Sequence, residues 1–255
     1  MFYHFRNYDY LCCIMGKNIN RESIFRFKHF QVKNHISAMK VGTDGVLIGA
    51  WANVNDTQSA LDIGCGTGLI ALMIAQRCNA TISGIEIDDL AASECKYNFD
   101  NSPWKNRLSL VHADFNSLQN DELKFDLIIS NPPFFTNGIT APDKSRATAR
   151  HCETLNYESL IAFATKHLSD TGRLAFIAPA DKSTEIIKTT NSHNLFISRK
   201  TEVFSKPSKS VAVRIMWELS RFDNPPLCSS LFIRNDDNTY HNDYLNLTSD
   251  FYLNF

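Results

Sequence analysis

The chain has 255 residues, of which 44% are apolar and 21% charged, with a formal net charge of −1. That balance permits a large buried core and excludes a basic whole-protein footprint for nucleic acid, so any such contact has to be local. No apolar run approaches the ~18 residues that a membrane span needs. The aromatic and polar start lacks the apolar stretch of a signal peptide. The seven cysteines show no C-x-x-C spacing, which suits reduced thiols in a cytoplasm and neither a disulfide framework nor a zinc site.

Residues 1–23 read as a disordered lead, with Met15 as an alternative initiator, and 24–255 as one domain. SALDIG (59–64) is a short apolar run ended by glycine and predicts a buried strand. LIALMIAQRC (69–78) is apolar at helical spacing. ATISGIEID (80–88) is a second strand, followed by a helix over 90–99 capped by Asp88 or Asp89. RLSLVHAD (107–114) and FDLIISNPP (125–133) are the third and fourth strands, the latter stopped by prolines that cannot donate to a ladder. Residues 134–153 have loop composition, and a loop of that length is functional or mobile. A helix over 155–169 closed by Gly172, a fifth strand over 173–180 and a helix over 181–192 come next. Strands over 195–204 and 211–220 are joined by SKPSKS, a turn so short that it forces an antiparallel pair. A strand at 230–234 and a helix over 240–253 end the chain. Alternating βα units predict an α/β fold with a mostly parallel sheet and helices on both faces.

Two motifs carry chemistry. The first is Leu61-Asp62-Ile63-Gly64-Cys65-Gly66-Thr67-Gly68, a strand running into a glycine turn and then a helix. Glycine is needed where the backbone bends sharply or lets a ligand come close. Leu69 stands where a dinucleotide-binding loop has its third glycine, and Asp62 would repel a pyrophosphate, which disfavours a nicotinamide oxidoreductase. A carboxylate there suits a ligand with a positive amino group and no phosphate, as S-adenosylmethionine is. Glu86 ends the second strand, where doubly wound sheets place an acceptor for ribose hydroxyls, and Asp114 ends the third, where it can accept from an adenine amino group. The ordinary alternatives are a structural turn and helix-capping acids, and successive strand ends bearing all three acids argue against them.

The second motif is Asn131-Pro132-Pro133-Phe134. A ring-conjugated amine is a poor nucleophile because its lone pair is delocalised. The Asn131 side-chain oxygen and the Pro132 carbonyl can accept its two hydrogens and turn the lone pair toward a methyl group. The prolines pre-organise these acceptors, and Phe134 offers a face for stacking a planar target.

These motifs look like the amino-methyltransferase group of class I methyltransferases. With FRFKHFQVKNHISAMKVGTDGVLIGAWA (25–52), SPW (102–104), SNPPFF (130–135) and ARH (149–151), the chain resembles the bacterial tRNA1(Val) (adenine-37-N6)-methyltransferase family over roughly 24–255. The resemblance implies a Rossmann-like domain with a mostly parallel seven-stranded sheet and a late antiparallel hairpin. It implies S-adenosylmethionine as cofactor, held by Asp62, Gly64, Gly66 and Gly68 at the methionine end, by Glu86 at the ribose and by Asp114 at the adenine. Asn131 serves both cofactor and target, Pro132, Pro133 and Phe134 the target alone, and Lys40, Thr43 and Asp44 would close the cofactor pocket. The family usually has tyrosine where this chain has Phe134. A tetrapeptide ending in phenylalanine also occurs in related enzymes acting on rRNA guanine N2, so rRNA amines and a protein glutamine amide stay open as targets.

The implied partner is a tRNA, acted on in the cytoplasm by a monomer, with no metal and no membrane. The C-terminal half has a local basic excess that includes Lys144, and Lys206 and Lys209 in the strand turn, with Arg146 and Arg150 after the tetrapeptide, can line an RNA path, although any one of them is as readily a solvated surface residue. A non-catalytic RNA-binding module would be marked by loss of the glycines or of Asn131, and neither is lost.

Overall fold

The computed structural model describes residues 23–37, 40–118, 120, 122–133 and 155–254. The expected lead, apart from Ser23, and the loop expected over 134–153 lie outside the described residues. The chain opens with a small antiparallel hairpin of β1 (Ile24–Arg26) and β2 (Gln31–Lys33). There follow α1 (Thr43–Trp51), β3 (Ser59–Ile63), α2 (Leu69–Arg77), β4 (Thr81–Glu86), α3 (Asp89–Asp100), β5 (Leu108–His112) and β6 (Phe125–Ser130). The second half holds α4 (Tyr157–His167), β7 (Leu168–Pro179), α5 (Ser183–Ser192), β8 (Phe196–Phe204), β9 (Arg214–Ser220), β10 (Leu227–Phe232) and α6 (Asn242–Thr248).

The main sheet runs β10-β8-β9-β7-β6-β3-β4-β5. Only β9 is antiparallel to its neighbours, the consequence of the short turn after β8. The expected architecture has seven strands, and this sheet has eight, because β10 adds in parallel to β8, pairing Leu227 with Arg199 through Phe232 with Phe204. The central strands are buried on both faces and alternate between two cores. Ala60, Leu127 and Ile129 face α1, α2 and α3, whereas Leu61, Ile63 and Ile128 face α4 and α5. Asp62 therefore points with Ala60 to the α2 side.

Asp88 caps α3, its carboxylate accepting from Ala91 N at 2.9 Å. The C-terminal helix stops at Thr248, short of the expected 253, because the chain turns there. Phe251 N and Tyr252 N both bond to Thr248 O, and Tyr252 packs on Phe25 and Phe27. No helix among the described residues is long and apolar enough to cross a membrane.

Gly172 does not close α4, which ends at His167. It lies within β7, where a Cβ would sit 2.7 Å from Phe125 O and 2.9 Å from Ser169 N. The β6–β7 register shifts between Phe125 and Leu127, and the backbone approach at Gly172 belongs to that irregularity. Gly172→Ala is therefore expected to destabilise the protein by about 2 kcal/mol through backbone displacement. Gly42→Ala, whose Cβ would meet only Lys40 O at 3.8 Å, serves as the mild comparison. Urea denaturation of both variants checks the difference, and equal midpoints would remove the packing explanation.

Candidate active site

Four adjacent strands, β6, β3, β4 and β5, end on one rim of the sheet, and each leads into a residue singled out by the sequence. Ile63 is in register with Ser130 on one side and Ile85 on the other, so Gly64 lies between Asn131 and Glu86. Glu86 is in register with His112, and Asp114 follows just beyond. The chain passes from β3 to β4 in one direction, while β6 flanks β3 on the other. That reversal is where open α/β sheets form a ligand crevice.

The loop after β3 takes three left-handed turns, at Gly64 (φ 65°), Gly66 (φ 56°) and Gly68 (φ 83°). At Gly68 the requirement is double, since a Cβ would stand 2.5 Å from Phe99 Cε1. At Gly66 a Cβ would meet nothing within 4 Å, so this peptide faces open space that a ligand can enter.

Asp62 is fully buried. Its Oδ2 accepts from Ala71 N at 3.1 Å, in the first turn of α2, and its Oδ1 is buried with no hydrogen-bond partner. Burial raises its pKa from 3.8 to about 7, the Ala71 bond opposes that rise, and the charge of Glu86 adds to it. Glu86 is itself occupied by backbone. Oε2 accepts from Gly66 N at 2.8 Å, and Oε1 accepts from Ile87 N and Asp88 N at 2.9 Å. Asp114 Oδ1 accepts from Asn116 N and Nδ2. Asp114 also lines an otherwise apolar crevice with Gly64, Ile85, Ile87, Ala113, Phe115 and Leu155.

At the end of β6, Ser130 Oγ donates to Ile63 O at 2.8 Å and ties the tetrapeptide to the glycine loop. Asn131 Oδ1 is buried with no partner among the described residues. Pro132 is buried and Pro133 half-buried, and Phe134 lies outside the described residues, as do Lys144, Arg146 and Arg150.

The remaining expected residues spend their charge elsewhere. Lys40 Nζ donates to the carbonyls of Asn34 and His35. Thr43 is the exposed first residue of α1. Asp44 forms an ion pair with Arg214 at 2.9 Å. Sequence reasoning missed Ile87, Phe115 and Leu155. The first two each follow a strand-end acid closely, a signal that was available, whereas Leu155 becomes a lining residue only through the tertiary fold.

Two buried acceptors lacking donors, an open glycine peptide and an apolar crevice with one carboxylate suit a ligand rich in donors, with an ammonium and a planar amine. Comparisons with known proteins agree. Residues 41–203 match the methyltransferase small domain. The chain is 40% identical to a tRNA1(Val) (adenine(37)-N6)-methyltransferase of Bacteroides fragilis, over 91% of this chain and 98% of that protein. It is 42% identical to the protein of that name from Aliivibrio fischeri, over 90% and 97%. Among solved structures, a protein from Agrobacterium tumefaciens described as a predicted O-methyltransferase shares the fold, with a TM-score of 0.63 at 18% identity over 82% of this chain and 96% of that one.

The raised Asp62 pKa gives a testable pH dependence. The folded chain binds this proton more tightly than the unfolded chain does. Stability from this group is therefore lost as pH rises from 3.8 toward about 7. An ammonium is attracted only to the ionised carboxylate, so the affinity for S-adenosylmethionine should rise toward about pH 7, by up to about tenfold per unit. Calorimetric titrations from about pH 5.5 to about pH 7 should show that slope in the native protein and a flat line for Asp62→Asn. A slope that persists in the variant assigns the proton to another group.

Proposed function

The chain belongs to the methyltransferase small domain family and to the tRNA1(Val) (adenine(37)-N6)-methyltransferases within it, and we propose that it methylates the N6 amine of adenine 37 in the anticodon loop of a valine tRNA. The observation that carries this reading is Asn131 Oδ1, a buried acceptor with no donor among the described residues, held beside the glycine loop by the Ser130–Ile63 bond. Such an acceptor fits a ring-bound amine, whose hydrogens have to be taken up before its lone pair is available.

S-adenosylmethionine, the donor used by this class, supplies when bound a methyl group already activated by its sulfonium. The residues fit it. Asp62 Oδ1 has an unmet demand for a donor, and Gly64, Gly66 and Gly68 shape a loop that a ligand can approach. Glu86 stands at the end of β4, where ribose hydroxyls would lie, and Asp114 stands beyond β5 at an apolar lining beside it. Lys40, Thr43 and Asp44 act at one remove, shaping the segment that leads into α1. Asn131 and the Pro132 carbonyl accept the two hydrogens of the target amine, Pro133 stiffens the turn, and Phe134 stacks on the base. No strongly basic side chain is needed, because the extra proton on the weakly basic product amine passes to solvent. We infer a monomer built on a single domain over 24–255, acting on tRNA in the cytoplasm.

The turn between β8 and β9 leaves the same rim, since β9 begins at Arg214 opposite Pro179. Lys206 and Lys209 in that turn are suited to tRNA phosphates. Lys206→Glu with Lys209→Glu should raise KM for tRNA about tenfold, less at high salt, and leave cofactor affinity alone. An unchanged KM moves the RNA path elsewhere.

Asn131→Ala should lower kcat by about a hundredfold or more while S-adenosylmethionine still binds. Labelled transfer to tRNA lacking the modification, followed by nucleoside analysis, reads both rate and product. A normal rate would falsify the role of Asn131. Label in a guanosine would retain the chemistry and replace the target.

A further inference from the structure

Between β2 and α1, the described residues 33–37 and 40–42 stand near the glycine loop. Two side chains of α3, one turn apart and absent from the reading above, hold the first half of this segment. Glu94 is 2% exposed and Asn98 3%. Oε1 of Glu94 accepts the backbone N–H groups of His35 and Ile36, and Oε2 accepts that of Ser37 at 2.9 Å. Asn98 Oδ1 accepts from Lys33 N at 2.8 Å, while its Nδ2 donates to Lys33 O at 2.9 Å and to Thr67 O at 2.8 Å. Thr67 stands between Gly66 and Gly68, so Asn98 binds the segment directly to the glycine loop. Lys40 gathers the same segment by donating to the carbonyls of Asn34 and His35.

The far end is pinned as well. A Cβ at Gly45 would lie 3.1 Å from Leu69, the first residue of α2, and Asp44 pairs with Arg214. The segment is thus fixed on both sides of the loop. A carboxylate as buried as that of Glu94 persists only with its oxygens hydrogen-bonded. Its donors here include three successive backbone N–H groups, the nest that otherwise captures anions. The charge of Glu94 and the path of 35–37 therefore determine one another.

We propose that Glu94 and Asn98 are positioning residues that set the affinity for S-adenosylmethionine by holding residues 33–37 against the glycine loop, without touching the cofactor. The proposal rests on the cofactor reading above. The full chain, Glu94→Gln and Asn98→Ala are compared by calorimetric titration with S-adenosylmethionine, steady-state kinetics and amide hydrogen exchange. Gln keeps the shape of Glu94 but turns an amide N–H₂ toward a backbone donor. In both variants KM for S-adenosylmethionine should rise about tenfold, with kcat at saturating cofactor within about twofold of the parent. Exchange at His35, Ile36 and Ser37 should quicken in Glu94→Gln. If Glu94→Gln does not fold, Asn98→Ala decides alone, because it severs the Thr67 link and leaves the Glu94 nest intact. Faster exchange with unchanged cofactor affinity overturns the proposal and leaves a purely structural clasp. Failure of the parent chain itself to bind S-adenosylmethionine is a different result, which overturns the cofactor reading and the proposal with it.

Discussion

The rim depends on the carboxylate of Glu86. Buried at the end of β4, it accepts N–H groups from Gly66, Ile87 and Asp88, and so joins the turn after β3, the turn after β4 and the approach to α3. If the glycine loop relaxed, a buried charge would lose a donor, which is costly in a low-dielectric setting. The left-handed turns at Gly64, Gly66 and Gly68 are thus held in place from outside the loop. The same charge also helps to keep the neighbouring Asp62 protonated near neutrality. Burial is the larger cause of that proton affinity, and Glu86 adds to it while fixing the shape of the loop.

What the rim offers is mostly acceptors. The cation of Lys40 is turned onto carbonyls of its own segment, and Asp44 and Arg214 answer each other. Asp62 Oδ1 and Asn131 Oδ1 remain as buried oxygens without donors. Gln76 Oε1, at the far end of α2, is another such oxygen, and what sets Asp62 and Asn131 apart is that the two flank one glycine loop at the rim.

Much of this was legible in the sequence because it is written in local pattern. SALDI and FDLIIS are nearly continuous apolar runs, as strands covered on both faces must be, and SKPSKS is too short for anything but an antiparallel return. The acids at strand ends were readable for the same reason. Helix α1 was not, because its residues from Gly45 to Trp51 are all buried and it has no polar face to create a period. The β1–β2 hairpin has strands of three residues each, below the length at which alternation can be recognised. The pairing of β10 with β8, the Leu155 contact and the Glu94 nest are long-range facts, set by where the sheet brings distant segments together. Glu94 in particular reads as one more charged residue on a surface helix until its three backbone partners, 57 to 59 positions away, come into view.

The first and last described segments of the chain also meet. Lys28 N donates to Phe251 O, Lys28 Nζ reaches Ser249 O, and Phe25, Phe27 and Tyr252 pack there in edge-on and tilted contacts. This clasp lies near Gln76, which reaches Asp250 O from the C-terminal end of α2 and thus from the end of the strands opposite the rim. In covalent terms the described fold is almost a ring whose seam is far from the site. A circularly permuted chain joined at that seam and opened in the exposed connector at 222–226 keeps every pairing of the main sheet and every residue of the rim.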